Sequence, residues 1–177
     1  MKKSCLNTSF LCGLLALSPS VALAGPIVLD FEGLGNLEFV GNFYNGGTGG
    51  SGSGPGTNYG VEFSANSQAV IDADAGGSGN FGGEPSPDTI LFFLGGSAAT
   101  MNVAAGFDTG FSFFYSAINS PGSVQVWDGL NGTGNLLASL NLPTTPFNGA
   151  PDPTGQFSPF VGIGVGFAGV AKSVAFA

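Results

Sequence analysis

The chain has 177 residues, of which 43% are hydrophobic, 12% aromatic and 8% charged, with 11 acidic residues, three basic residues and no histidine. This size suits one domain with its own core, and the missing histidine excludes Ser-His-Asp triads, Cys-His pairs and His-ligated zinc. Because phosphate binding draws on many Lys and Arg side chains, the acidic balance also argues against nucleic-acid partners.

Residues 1–24 have the pattern of a secretory signal peptide. Two lysines open the segment, a short apolar run follows, and a small-residue Ala-x-Ala site ends at Ala24. The apolar run is too short to span a bilayer, which takes about 20 residues. Cleavage after Ala24 would leave residues 25–177 as one secreted domain without cysteine, with eleven carboxylates against Lys172 and a formal side-chain charge of −10.

The remainder of the chain predicts β-strands. Its 31 glycines disfavour helix interiors, and short apolar or aromatic runs alternate with clusters of Gly, Asn, Asp, Ser and Pro. Val124 and Val126 are predicted to face away from Gln125 and Trp127. The predicted strands are 27–32, 37–43, 61–65, 68–73, 89–94, 99–104, 110–117, 123–128, 135–141, 160–167 and 172–176. Short strands at this spacing predict an all-β fold, a two-layer antiparallel β-sandwich.

Two glycine patterns bear on function. Residues 45–60 hold eight glycines in 16 positions, which predicts a mobile, linker-like loop. The GxGxxG spacing occurs at 47–52 and again at 164–169. Neither copy lies between a strand and a helix, as a dinucleotide site requires, so no nucleotide site is predicted.

An acidic loop supplies the best pattern for a metal site. Asp72, Asp74, Glu84 and Asp88 offer hard oxygen ligands beside flexible glycines, and calcium takes six to eight such oxygens. The order is not that of an EF-hand, which would need Glu where this chain has Gly83. Calcium is therefore the one cofactor that the sequence suggests, and a solvated acidic turn is the alternative.

Aromatic side chains suggest a carbohydrate site. Trp127 is the only tryptophan, and on an exposed sheet face its ring could stack on a sugar, assisted by Tyr44 and Tyr59. The alternative is that both sheet faces are covered and these rings pack in the core, where the aromatic side chains of sandwiches mostly lie.

Catalysis by this chain would depend on carboxylates alone. Glycoside hydrolysis needs two of them about 5–9 Å apart, and no spacing among the eleven singles out a pair. The sequence therefore assigns no catalytic residue and favours a non-catalytic protein, with a carboxylate glycosidase as the remote alternative.

Several segments resemble exported bacterial PEP-CTERM proteins. They are LDFEGLGN (29–36), VGNFY (40–44), DADAGGSGNF (72–81), EPSPD (84–88), ATMNVAAGF (99–107) and VWDGLNGTG (126–134). The resemblance implies a jelly-roll-like sandwich, processing by an exosortase, and a place in the matrix or on the outer surface of a Gram-negative bacterium. In jelly-roll modules a first-strand acid, here Glu32, often binds a structural calcium together with a late Asp.

Proteins of this kind usually continue into a further strand, a Pro-Glu-Pro motif, a hydrophobic segment and basic residues. This sequence ends at Ala177 without them, so we expect either a truncated product lacking the last strand of its sandwich or a tail-less secreted form. The expected function is that of a non-catalytic secreted or cell-surface protein associated with extracellular matrix or exopolysaccharide. The second hypothesis is a carbohydrate-binding module, for which dependence on calcium is left open.

Overall fold

The chain folds into short antiparallel strands. The computed structural model describes residues 25–93, 99–149 and 155–177. The strands in these ranges are β1 (Glu38–Phe39), β2 (Val61–Phe63), β3 (Gln68–Ile71), β4 (Thr89–Phe92), β5 (Ala99–Phe107), β6 (Gly110–Tyr115), β7 (Gly122–Trp127), β8 (Leu136–Leu142), β9 (Val161–Gly166) and β10 (Ala171–Phe176). A 3-10 turn, Leu130–Gly132, lies between β7 and β8. Within the described ranges, no helix has the length and apolarity to cross a membrane.

The strands form one large sheet and two small ones. The large sheet has the order β2-β5-β10-β7-β8, the second sheet has the order β1-β3-β4, and β6 pairs with β9. Every pairing between these strands is antiparallel. Strand β10 lies in the middle of the large sheet, paired with β5 on one side and with β7 on the other. The prediction of an all-β, sandwich-like antiparallel fold is confirmed.

The core lies between the large sheet and the β6–β9 pair. Val124 and Val126 on β7 are completely buried, and burial of each valine stabilises the fold by on the order of 1.5–3 kcal/mol. Phe176 of β10 meets two rings of β6 edge-on, with centroids 5.8 Å from Phe111 and 5.7 Å from Phe113. These contacts join the two layers, and Gln125 is exposed on the opposite face, as the alternation predicted.

Ten of the eleven predicted strands overlap an observed strand, and the prediction for residues 27–32 is wrong. Phe31 has φ 64°, a left-handed conformation that interrupts an extended run. Side chains, rather than a strand ladder, hold this segment. Phe31 N donates to the Tyr44 hydroxyl over 2.6 Å, and Glu32 reaches the start of β4 at Thr89.

The glycine-rich loop 45–60 is folded around a buried carboxylate, so the prediction of a mobile linker is wrong. Glu38 is 1% exposed. Its Oε1 accepts hydrogen bonds from Ser51 N at 2.7 Å and Ser53 N at 3.1 Å, and its Oε2 accepts one from Gly35 N at 2.6 Å. Further backbone hydrogen bonds run inside the loop, from Gly49 to Ser53, from Gly52 to Gly49 and from Gly56 to Gly47.

These hydrogen bonds control the ionisation of Glu38. Burial alone would raise its pKa, but the hydrogen bonds from Ser53, Gly35 and Ser51 outweigh burial and lower the pKa from 4.5 to about 2. Glu38 is therefore an ionised group inside the fold, and the loop amides stabilise its charge. A Cβ on Gly49 would collide with the carboxylate, which explains why the chain needs glycine there.

Candidate functional site

The register of the large sheet aligns a row of side chains on one face. Glu62 of β2 lies opposite Asn102 of β5. Asn102 in turn lies opposite Ser173 of β10, and Ser173 lies opposite Trp127 of β7. Opposite residues on neighbouring strands have Cβ atoms about 4.5–5.5 Å apart. The four side chains therefore form one continuous row across four strands.

This row points away from the core because its chain neighbours point into it. Val61 and Phe63, on either side of Glu62, are 4% and 8% exposed. Both neighbours of Asn102 on β5 are buried as well. Since successive side chains of a strand point to opposite faces, Glu62 and Asn102 belong to the outer face of the sheet.

The 3-10 turn Leu130–Gly132 packs on this outer face and is held there by Asn102. The Asn102 Nδ2 donates to Asn131 Oδ1 over 2.9 Å, and Asn131 N donates to Asn102 Oδ1 over 2.7 Å. The amide of Asn102 thus uses both its donor and its acceptor on one residue of the turn. This reciprocal pair fixes the turn above β5.

Ser173 anchors the same turn to β10. It is completely buried, and its Oγ accepts from Gly132 N over 3.0 Å and donates to the Gly129 carbonyl over 2.6 Å. Asn131 and Gly132 have φ 57° and 67°, the left-handed values for which an Asn-Gly pair is suited. Strands β7 and β8 form an antiparallel hairpin whose connection is longer than a two-residue turn.

A carboxylate closes the base of the connection between β7 and β8. Asp128 Oδ1 accepts from Asn135 N over 2.7 Å, and Oδ2 accepts from Asn135 Nδ2 over 2.8 Å. The side-chain hydrogen bond from Asn135 is the main reason why the pKa of Asp128 is lowered. Gly134 has φ 85°, and a Cβ there would clash with Asp128 Oδ1.

A cleft of about 310 Å³ lies where β2, β5 and the 3-10 turn meet. Small-molecule sites commonly begin near this size. Three amides, one carboxylate and several small or apolar residues line it: Asn45, Gly60, Glu62, Asn102, Ala104, Ala105, Leu130 and Asn131. The turn that Asn102 and Ser173 hold in place therefore forms one wall of the cleft.

The charge in this cleft comes from Glu62, the one ionisable side chain of the lining. Asn45 Nδ2 donates to Glu62 Oε1 over 2.8 Å, which orients the carboxylate. Amides both donate and accept hydrogen bonds, whereas a carboxylate accepts only. Such a set can bind the hydroxyl groups of a polar ligand. A glycosidase needs two carboxylates, whereas the cleft lining contains one, Glu62.

The four predicted calcium ligands lie elsewhere and are not gathered into one cluster. Asp72 is 2% exposed, and its Oδ1 accepts from Ala73 N over 2.6 Å. Asp74 and Asp88 are exposed, and Glu84 is half-buried. In the described parts of the chain, no group of three or more His, Cys, Asp or Glu residues is arranged to hold a metal ion. Calcium binding stays a prediction without a defined site.

Glu32, the second residue considered for calcium, is bonded to the start of β4. Its Oε1 accepts from Asp88 N over 3.0 Å and from Thr89 N over 2.9 Å, and its Oε2 accepts from Thr89 Oγ1 over 3.0 Å. Both carboxylate oxygens thus receive protein donors. The arrangement joins the N-terminal segment to the three-stranded sheet.

Tyr44, predicted to assist sugar stacking, is a core residue. Its side chain is 4% exposed, and its ring meets Phe31 and Phe43 edge-on at 5.7 and 5.2 Å. The hydroxyl accepts from Phe31 N and donates to Asp30 Oδ1 over 3.4 Å. Burial raises the pKa of Tyr44. The ring has no exposed face on which a sugar could stack.

Tyr59 and Trp127 lie closer to the cleft. Tyr59 precedes the cleft residue Gly60, is 39% exposed and stacks on Tyr44 with centroids 6.2 Å apart. Trp127 is half-buried beneath the 3-10 turn, since a Cβ on Gly132 would lie 3.8 Å from its Nε1. That Nε1–H is buried and has no acceptor among the described groups. A stacking role for Tyr59 and Trp127 stays a prediction.

The cleft residues Asn45, Glu62, Asn102 and Asn131 were not singled out by the sequence. Alternation along Val61–Phe63 indicates that Glu62 points outward, and the same pattern holds around Asn102. Their proximity depends on β2 pairing with β5, two strands separated by two others in the chain. No local pattern shows that pairing.

Comparisons with protein-family models, with curated proteins and with solved structures found no match.

Proposed function

We propose that this protein is a non-catalytic glycan-binding module, and that the cleft between β2, β5 and the 3-10 turn is its binding site. One observation carries the proposal. Three amides and one carboxylate, from the loop 45–60, β2, β5 and the 3-10 turn, converge on a cleft of about 310 Å³, and hydrogen bonds already join them in two pairs before any ligand binds.

The chemistry of the lining suits sugar hydroxyls. A hydroxyl donates one hydrogen bond and accepts others, and the Asn45 amide and the Glu62 carboxylate together offer both partners. Leu130, which is 39% exposed, offers an apolar surface for the C–H face of a sugar ring. Because hydrogen bonds already join the polar side chains in pairs, binding would order fewer of them, which lowers the side-chain part of the entropic cost of association.

Three sequence features support a location outside the cell. They are the signal-peptide pattern of residues 1–24, the formal charge of −8 for the whole chain and the resemblance to PEP-CTERM proteins. An exported, acidic module that binds glycan would act as a component of an extracellular matrix or of an exopolysaccharide layer at the surface of a Gram-negative cell. This proposal needs neither calcium nor catalysis.

The test is a binding titration of the purified protein against a panel of soluble oligosaccharides, by calorimetry and by emission of Trp127. The blocking variant is Ala104→Leu, which places a larger side chain in the cleft at an exposed position of β5. The control is Ser139→Leu, an exposed position of β8 outside the cleft. We expect Ala104→Leu to abolish glycan binding and Ser139→Leu to retain it.

Two results would contradict the proposal. Undiminished binding by Ala104→Leu would place the glycan site elsewhere on the protein. Failure of the unaltered protein to bind any oligosaccharide would refute glycan binding and favour a purely structural component.

A further inference from the structure

The electrostatics of the cleft indicate which glycans it selects. Glu62 is its one ionisable lining residue. Lys172 is the one cationic side chain in the described part of the chain, and it does not line the cleft. The chain carries a formal charge of −8. A ligand entering the cleft therefore meets the negative charge of Glu62, which no lysine or arginine of the lining offsets.

The exposed Glu62 carboxylate is oriented by its strand and by one hydrogen bond. Its strand neighbours Val61 and Phe63 are buried in the core, which anchors the backbone of β2. Asn45 Nδ2 bonds Oε1 over 2.8 Å, which orients the carboxylate. Among the described residues, Oε2 has no hydrogen-bond donor and neither oxygen has a cationic partner. One oriented, charged acceptor of the cleft thus remains available to a ligand.

A protonated amine complements such a group best. An ammonium brings a positive charge and three donors, whereas a sugar hydroxyl brings one donor and no charge. An N-acetylated amine carries no positive charge. A uronate carries a negative charge, which the Glu62 carboxylate repels. Specificity of this kind combines an attractive partner for one ligand class with a repulsive one for another.

We propose that the cleft selects glycans with free amino groups, the amine binding at Glu62, over their N-acetylated counterparts and over uronate polymers. This inference depends on the proposed function, since it names the ligand class of the same cleft.

The test compares three probes of equal length: oligomers of glucosamine, of N-acetylglucosamine and of glucuronate, titrated below the pKa of the amine. We expect the glucosamine oligomer to bind most tightly and the glucuronate oligomer most weakly. Glu62→Gln, which keeps an acceptor oxygen but removes the charge, should weaken glucosamine binding by about fivefold, which is the contribution of one exposed ion pair, and should weaken N-acetylglucosamine binding by less. The charge-matched control, Asp74→Asn, lies outside the cleft and should retain the preference.

The outcomes separate the two proposals. Equal binding of glucosamine and N-acetylglucosamine oligomers, unaffected by Glu62→Gln but abolished by Ala104→Leu, would overturn the amine preference and keep the glycan site. Loss of the preference in Asp74→Asn would show that net charge, and not Glu62, governs it, which would also overturn the inference. Absence of binding to all three probes and to the wider panel would remove the proposed function itself.

Discussion

Asn102 and Asn131 exchange two hydrogen bonds across 29 positions of the sequence. Asn102 lies on the outer face of β5, and Asn131 lies in the 3-10 turn between β7 and β8. Their pairing places the turn next to β5 and so creates the cleft wall. The cleft is thus a property of how the connection between β7 and β8 folds back on the sheet.

Removing this pair should release the turn. Asn102→Ala deletes both hydrogen bonds, each worth about 0.5–1.5 kcal/mol net, so we expect a loss of about 1–3 kcal/mol in the free energy of unfolding. Trp127 lies beneath the turn, and its emission should shift to longer wavelength as water reaches it. Asn141→Ala, an exposed position of β8, is the control and should change neither quantity. Unchanged Trp127 emission in Asn102→Ala would show that the turn does not depend on this pair.

Glu38 should make the protein sensitive to acid. Its pKa in the fold is about 2, below its ordinary value of 4.5. The ionised group therefore contributes stability that is fully present above about pH 4.5 and is lost as the pH falls towards 2. Urea unfolding between pH 7 and the acid range should show this decline.

The matching variant is Glu38→Gln, which leaves buried amide donors of loop 45–60 without their charged acceptor. We expect it to lose about 2–4 kcal/mol of stability at neutral pH and to show a smaller decline below pH 4.5. Glu62→Gln, at an exposed position, is the control and should keep both the stability and its decline. An equal acid response in Glu38→Gln and in the unaltered protein would mean that other carboxylates cause it.

Substitution of Gly134 tests whether the Asp128 side chain lies as close to the backbone as the structure shows. Gly134 and Gly76 have nearly equal φ values, 85° and 87°, but only at Gly134 would a Cβ clash with a neighbour, Asp128 Oδ1. Gly76→Ala should cost about 1–2 kcal/mol for the left-handed backbone alone, and Gly134→Ala about 1–3 kcal/mol more for the clash. Thermal unfolding of the two variants gives the difference directly. Equal destabilisation would show that the connection relaxes around Asp128.

Tyr44 separates a structural role from a binding role. Tyr44→Phe keeps the ring but removes the hydroxyl that accepts from Phe31 N, so we expect a loss of about 1–3 kcal/mol in the free energy of unfolding. Tyr59→Phe, where the ring is 39% exposed, should change stability by less than about 0.5 kcal/mol. Glycan affinity should stay the same in Tyr44→Phe. If Tyr44→Phe lost glycan affinity without losing stability, Tyr44 would be a binding residue, as the sequence predicted.

Calcium should have little effect on stability. The Glu32 oxygens already accept protein donors, Asp72 is buried, and the described residues include no cluster arranged for a metal ion. We expect the melting temperature in millimolar calcium to match that in excess EDTA within about 1 °C. An ion present at about 100 times its dissociation constant would add about 2.7 kcal/mol. That corresponds to a rise of roughly 5–10 °C, which would support the predicted calcium site instead.

Alternation along single strands made much of the fold predictable. Val124 and Val126 face the core and Gln125 faces solvent, as the pattern at 123–128 indicates. The sequence predictions were wrong where side chains, and not neighbouring strands, form the hydrogen bonds of the backbone. Residues 27–32 have strand-like composition, yet Phe31 bonds to a tyrosine hydroxyl. The loop 45–60 has linker-like composition, yet Glu38 orders it from a distance in the chain.

Strand content, the inward and outward faces and the classes of chemistry open to these residue types were predictable from the chain, because each depends on local composition and on a period of two residues. Which outward residues meet depends on the folded arrangement of the strands. Glu62 and Asn102 became neighbours through the pairing of β2 with β5, and Asn131 joined them because its turn folds back onto the sheet. Such contacts depend on strand order and register, which local patterns do not encode.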